Sequence, residues 1–219
     1  MLYLAHKLMN EVVHKDLKKR LLMSSDWVDG KNTATGQAKE LKKNIQLEMG
    51  DAYLEFSKEV KEILEANNVI KNFAFPSNIN DLLFTRTGAG MFYGPHVDAP
   101  FGNTKRRDLS FTIFLNNPNE YEGGELILYI PPEKKVIKLQ AGEIILYPTR
   151  YLHEVNKVSE GERIVCVGWI ESQISRDDDR ESLSILQNTR AELIAKYGHS
   201  ALTTNLNVAI NNVYKRLMS

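Results

Sequence analysis

Two of the five histidines, His96 and His153, sit where an imidazole can do chemistry. His96 opens the triplet His96-Val97-Asp98, directly after the β-prone run Met91-Phe92-Tyr93. On an extended chain residues i and i+2 point to one side, so His96 and Asp98 can aim an imidazole and a carboxylate at one point. His153 lies in "LYPTRYLHEV", after a strand expected to end at Tyr147-Pro148. Two imidazoles and one carboxylate on one face hold a divalent metal and leave its other positions free, the arrangement of non-haem Fe(II) oxygenases. Zinc with a water in the open position suits the same ligands, so the residues alone leave the metal open. His6 and His14 fall in helical sequence and His199 after a helix stop; all three are expected to be structural or solvated.

A cation is the second chemical feature. Arg163 is expected to begin the apolar strand "RIVCVGWIES", which must be buried on at least one face. A guanidinium there calls for a partner, and it pairs bidentately with carboxylate. A dicarboxylate co-substrate would provide one; pairing with Glu160 or Glu162, or reaching solvent, is the alternative.

These residues need a scaffold, and periodicity divides the chain into three zones. Residues 1–74 read as a helical support region, with Ile45, Met49, Ala52, Tyr53, Phe56, Val60, Ile63 and Leu64 at three- and four-residue spacing. Gly50 interrupts that run, and the polar stretch 24–36 reads as a loop. Residues 75–175 change to short β-prone runs at 82–84, 91–93, 109–115, 125–130, 136–139, 144–147 and 163–170, separated by Gly, Pro and Asn turns, which predicts an all-β sandwich or barrel. Gly123-Gly124 reads as a turn or bulge before "ELILYI". Residues 176–219 return to helix: Asp177-Asp178-Asp179 suits a helix N-terminus, Gly198 a stop, and a last helix is expected over about 206–217.

Composition narrows the function classes. Lys+Arg and Asp+Glu are equal at 28 each, so a general nucleic-acid or anionic-membrane binder is not expected. The cluster Lys105-Arg106-Arg107 is the one local exception, with a solvated loop as its plainer reading. Cys166, the single cysteine, sits in an apolar run and reads as a buried structural thiol, consistent with a reducing cytosol. No run approaches the ~20 apolar residues that span a bilayer, and the N-terminus lacks the apolar core and cleavage site of a signal peptide. The expected setting is cytoplasmic, without a membrane partner.

The ordered set "YGPHVDAP", "RRDLSFTIFLNNPNEYEGGEL", "LQAGEIILYPTRYLHEV" and "GERIVCVGWIES" resembles the PKHD-type (prolyl/lysyl-hydroxylase-like) Fe(II)/2-oxoglutarate-dependent dioxygenases, over roughly residues 82–179. The resemblance implies a mainly β fold, a double-stranded β-helix (jelly roll) flanked by N- and C-terminal helical extensions. It places His96, Asp98 and His153 on the iron ligands and Arg163 on the residue that grips the distal carboxylate of 2-oxoglutarate. Tyr93 corresponds to a tyrosine lining the iron and co-substrate pocket, and Ser110 to a small hydroxyl residue bonding the 2-oxoglutarate tail; ordinary strand filling is the alternative for Ser110 and Thr112. The implied cofactors are Fe(II), 2-oxoglutarate and O2, with ascorbate as a candidate reductant. The implied reaction hydroxylates an unactivated C–H bond and releases succinate and CO2.

The first candidate substrate is a prolyl residue in a peptide or protein. A free amino acid or other small molecule is the alternative, and a zinc hydrolase, an isomerase or a non-catalytic binding module on the same barrel are the rivals. Arg86-Thr87 and Phe114 stand where relatives often carry tyrosines, so the co-substrate pocket is expected to be wired differently. Trp169 and Tyr151 are expected to pack in the core, with a place flanking the site as the alternative, and the loop "DAPFGNTKRRD" to sit beside the metal and set substrate choice.

Overall fold

Alternation with a period of two builds a pair of facing sheets, because each strand then has one side for helices and one for an interior. The computed structural model describes residues 3–33, 36–102 and 105–218. Ala34-Thr35 of the 24–36 stretch and Asn103-Thr104 of the loop after Asp98 lie outside the described residues.

The chain opens with β1 (Leu4–Lys7), α1 (Glu11–Met23), β2 (Trp27–Asp29), a 3-10 turn (Gly30–Thr33), α2 (Gly36–Glu40), β3 (Lys42–Lys43), β4 (Ile45–Leu47), α3 (Asp51–Ala66) and α4 (Asn68–Ala74). It continues through β5 (Pro76–Gly88), β6 (Phe92–His96), β7 (Leu109–Phe114), a second 3-10 turn (Pro118–Glu120), β8 (Tyr121–Gly123), β9 (Leu126–Ile130), β10 (Glu133–Ile137), β11 (Glu143–Pro148), β12 (His153–Val155) and β13 (Val158–Ser172). It ends with α5 (Asp177–Tyr197) and α6 (Ala201–Leu217). The larger sheet runs β1-β11-β7-β13-β5-β4-β2, with β8 attached to β13; the smaller runs β10-β9-β12-β6-β3. The expected jelly roll is the observed architecture.

Each central strand of the larger sheet splits its residues between two cores. Leu82, Phe84, Phe111, Ile113, Ile144, Leu146 and Cys166 pack outward against Leu17 and Leu21 of α1, Phe56, Val60 and Leu64 of α3, and Ile70 of α4. Cys166 is the buried structural thiol that its apolar neighbours imply. Phe114, Ile145, Tyr147 and Val165 face the other way, against Leu126 and Leu128 of the smaller sheet. That inner layer is where the functional residues gather. A third core joins Phe75 and Ile174 to Leu183 of α5 and Ile210 of α6. Truncating one of the fully buried aromatics, Phe84 or Phe111, costs about 3–5 kcal/mol.

The N-terminal region departs from the all-helical expectation. It holds α1, α3 and α4, but also β1, β2, β3 and β4, which extend both sheets. Ile45 belongs to β4 and pairs with Arg86, and Met49 is exposed rather than on a helix face. Helical spacing of Ile45 and Met49 is overridden because the free edge of β5 offers backbone partners to this segment. The 24–36 stretch likewise contains β2, registered on β4 from Trp27↔Leu47 to Asp29↔Ile45. Gly50 begins α3 as its N-cap instead of breaking it.

Candidate active site

His96 is the last residue of β6 and lies directly opposite His153, the first of β12. Backbone registry alone therefore brings the two imidazoles together, with ring centroids 4.3 Å apart. Asp98 sits just beyond the strand end, with Oδ1 3.7 Å from His96 Nε2 and Oδ2 3.7 Å from His153 Nε2. One ligand atom from each of the three lies within 4.8 Å of the others. Two backbone carbonyls orient the rings: His96 Nδ1–H donates to Gly94 O at 2.8 Å, and His153 Nδ1–H to Tyr151 O at 2.9 Å. Both Nε2 lone pairs are thereby free for a metal.

Electrostatics agree with that reading. Burial, then the neighbouring His153, pulls His96 down to about 4, so its ring is neutral and able to ligate. Burial opposes ionisation of Asp98, but His153, His96 and hydrogen bonds from Ser110 and Trp169 outweigh it and hold the carboxyl below its ordinary value. Ser110 Oγ and Trp169 Nε1 both donate to Asp98 Oδ2, at 2.7 and 2.9 Å. Having spent its one proton there, Ser110 Oγ accepts from the Thr149 hydroxyl at 3.1 Å. The Ser110 hydroxyl is thus turned toward the Asp98 carboxylate. Trp169, expected in the core, orients the same oxygen and carries Arg107 over its ring at 4.0 Å. The signal was present: residues 163, 165, 167 and 169 share one strand face.

Arg163 is not at a strand entrance. It lies within β13, 2% exposed, opposite Thr87 of β5. Its candidate partners in sequence are engaged or solvated: Glu162 pairs with Arg86 at 3.0 Å, and Glu160 is exposed. Its neighbours are instead Tyr121, Tyr147 and the ring of Phe114, 5.4 Å from the guanidinium carbon. Burial lowers its affinity for its proton, and Nε has no hydrogen-bond partner among the described residues. Asn116 fixes the backbone on both sides: Nδ2 donates to Glu162 O at 2.6 Å, and Ile164 N donates to Oδ1 at 3.0 Å. Gly124, at φ +67°, leaves room for the side chain, since a Cβ there would lie 3.2 Å from Arg163 Cδ.

His96, Asp98, His153 and Arg163 line one cavity of about 610 Å³ between the sheets. Ser110 and Thr112, on one face of β7, line it too, and so does Tyr93, whereas Phe114 of the same face is not among the lining residues. Tyr93 stacks on His96, with ring centroids 3.6 Å apart. Among the described residues the lining holds two carboxylates, Asp98 and Asp81, and Asp81 is paired with Arg107 at 2.6 Å. A hydrolase would lack a free general base there, and Glu154 is engaged by the Tyr129 hydroxyl. The basic cluster is likewise internally paired: Arg106 with Asp108 at 3.1 Å and Glu171 at 3.7 Å, Lys105 with Glu171 at 4.0 Å. Arg86 takes the place of the expected tyrosine and covers Trp27 at 4.9 Å. His6 bonds Asn67, His14 is buried in α1, and His199 is exposed, all away from the cavity.

The donor set suits a small divalent metal, and the cavity beside it holds a buried guanidinium without an acidic partner. Known proteins agree. The sequence model of the 2OG-Fe(II) oxygenase superfamily matches residues 82–171. A PKHD-type hydroxylase of Prochlorococcus marinus strain MIT 9515 is 42% identical over 98% of both chains. In fold, the chain is similar to a Pseudomonas putida prolyl-4-hydroxylase, at TM-score 0.56 and 16% identity, over 78% of this chain and 92% of that one. It is also similar to a Trichoplax adhaerens prolyl hydroxylase in complex with a hypoxia-inducible-factor peptide fragment, at TM-score 0.57 and 15% identity, over 84% and 87%. No helix among the described residues is long and apolar enough to cross a membrane. Sequence, fold and site converge: the chain belongs to the PKHD-type hydroxylases, Fe(II)- and 2-oxoglutarate-dependent dioxygenases that use O2.

Proposed function

We propose that His96, Asp98 and His153 hold the iron, that Arg163 receives the distal carboxylate of 2-oxoglutarate, and that the hydroxylated group is a prolyl residue of a peptide or protein. One observation carries the reading: Arg163 is a buried guanidinium without an acidic partner, in the same cavity as the three ligands. Leaving such a charge unpaired costs several kcal/mol, which a bound carboxylate offsets. Iron with 2-oxoglutarate and O2 supplies the oxidation that puts one oxygen into a C–H bond and releases succinate and CO2.

The chain's own residues position and shield. Gly94 and Tyr151 carbonyls hold the imidazole tautomers, and Asp98 supplies the negative charge. Ser110 and Trp169 keep Asp98 from rotating, and Tyr147 and Phe114 keep water from Arg163. A peptide substrate is supported by the peptide complex of the Trichoplax enzyme and by exposed Val97 and Phe101 at the cavity lining. The single buried thiol and the need to keep iron reduced suit the cytosol.

The test is anaerobic loading with Fe(II) and 2-oxoglutarate, followed by air, ascorbate and a panel of proline-containing peptides. A metal-to-ligand charge-transfer band, succinate release and a one-oxygen mass gain on proline are expected. Loss of the band on removing Arg163 ties it to the co-substrate; a band with mass gain on residues other than proline would replace the substrate class.

A further inference from the structure

The segment Lys42-Lys43-Asn44-Ile45-Gln46 inverts the usual strand alternation. Lys42, Asn44 and Gln46 are buried at 4, 9 and 4%, while Lys43 is exposed. A short extended piece that turns its polar side inward is building a lined site, because buried polar atoms carry a desolvation cost. Lys42 and Asn44 line the active-site cavity.

Lys42 has only neutral partners. Its Nζ donates to Thr33 Oγ1 at 3.0 Å and approaches Gln46 Oε1 at 3.4 Å, and it makes no ion pair among the described residues. An ammonium has three N–H donors, so one is left over. The same Nζ sits 5.4 Å from the ring centroid of Tyr93, whose other neighbour is the stacked His96. A single aromatic ring therefore separates this cation from a metal ligand.

Charge balance sharpens the point, given the iron and 2-oxoglutarate assignments proposed above. With both bound, the divalent metal, Asp98, the two co-substrate carboxylates and Arg163 cancel. Asp81 and Arg107 cancel one another. Among the described residues Lys42 is the remaining cation of the cavity lining, and a buried charge without a counter-charge is unfavourable.

We infer that Lys42 forms an anion subsite for the substrate, and that the substrate presents a carboxylate there beside the C–H bond to be oxidised. This rests on the proposed oxygenase reading and narrows it to carboxylate-bearing substrates. A singly charged carboxylate matches one ammonium; a phosphate dianion would leave a negative charge buried opposite Asp98. Burial lowers Lys42 to about 8 against the pull of Asp98 and Asp29, neither of which pairs with it directly.

The experiment uses the Fe(II)- and 2-oxoglutarate-loaded enzyme without O2 and reads the perturbation of its charge-transfer band by matched probes. N-acetylproline against N-acetylprolinamide tests a main-chain carboxylate. N-acetyl-Pro-Glu-amide against N-acetyl-Pro-Gln-amide tests a side-chain carboxylate. At least a tenfold tighter response to the acid in one pair is expected, falling below twofold in Lys42→Met and largely retained in Lys42→Arg. Equal responses to acid and amide in both pairs would overturn the subsite, as would a preference that survives in Lys42→Met. If Lys42→Met abolishes the band itself while Lys42→Arg restores it, Lys42 serves the co-substrate and the inference fails. No band in the wild-type enzyme would refute the iron and 2-oxoglutarate reading, a result distinct from a band without acid preference.

Discussion

Trp169 Nε1 and Asp98 Oδ2 meet at 2.9 Å, joining β13 to the second residue past the end of β6 across the interior of the jelly roll. The bond fixes the carboxylate plane, and with Ser110 it leaves Oδ1 unencumbered on the side of His96. Partners of metal ligands typically contribute 10–100-fold to metal affinity. Trp169→Phe keeps the ring beneath Arg107 but removes the donor. Fe(II) affinity is expected to fall about tenfold, and a further several-fold with Ser110→Ala. Equilibrium metal titration checks this; unchanged affinity in the double variant would make the bonds structural only.

Arg163→Met replaces an unpaired buried cation by an apolar chain of similar reach. The metal-free protein is expected to gain on the order of 1–3 kcal/mol in stability while 2-oxoglutarate affinity falls more than about 100-fold. Arg163→Lys should recover part of the affinity, because a point charge replaces the bidentate fork. Chemical denaturation and co-substrate titration read the two effects separately.

Asn116 and Gly124 hold Arg163 from two sides. Asn116→Ala leaves Ile164 N and Glu162 O without their side-chain partner, a loss of about 1–3 kcal/mol. Gly124→Ala adds a left-handed backbone penalty of roughly 1 kcal/mol and crowds Arg163 Cδ. Both are expected to raise the KM for 2-oxoglutarate with little change in iron affinity. An equal loss of iron binding would count against this division of labour.

Lys42 also predicts a pH dependence of stability in the metal-free protein. Its ordinary value of 10.5 falls to about 8 on folding through burial, opposed by Asp98 across the cavity and Asp29 on β2. The unfolded chain therefore binds the proton more tightly between those values, so the cost is full below about 8 and fades as pH rises toward 10.5. Lys42→Met removes it. The variant is expected to be more stable than wild type by on the order of 2–3 kcal/mol at pH 7, with the two converging near pH 10. Parallel denaturation curves at the two pH values check it, and a constant difference would show that Lys42 is not the titrating group.

The sequence by itself singled out the residues that gather at the cavity and the kind of fold. His96, Asp98, His153 and Arg163 carry spacing that local backbone geometry converts into direction, and the short β-prone runs of the central zone all became strands. Asp177, Gly198 and the final apolar stripe placed the C-terminal helices within a few residues, because caps and stops act locally. What the sequence did not carry was pairing across distance. β12 is three residues long and too short for a periodic signal, yet its registry with β6 joins the two histidines. β2, β3 and β4 lie in sequence that reads as helix or loop, and they form strands because the sheet edges bind them. Ser110 and Trp169 are ordinary strand residues until Asp98 is brought between them, and Lys42 is an ordinary surface lysine until β3 docks beside Tyr93. Propensity and caps act over a few bonds, whereas the compensation of buried charge depends on residues far apart in the chain. The tertiary structure alone decided which cations were left without a partner.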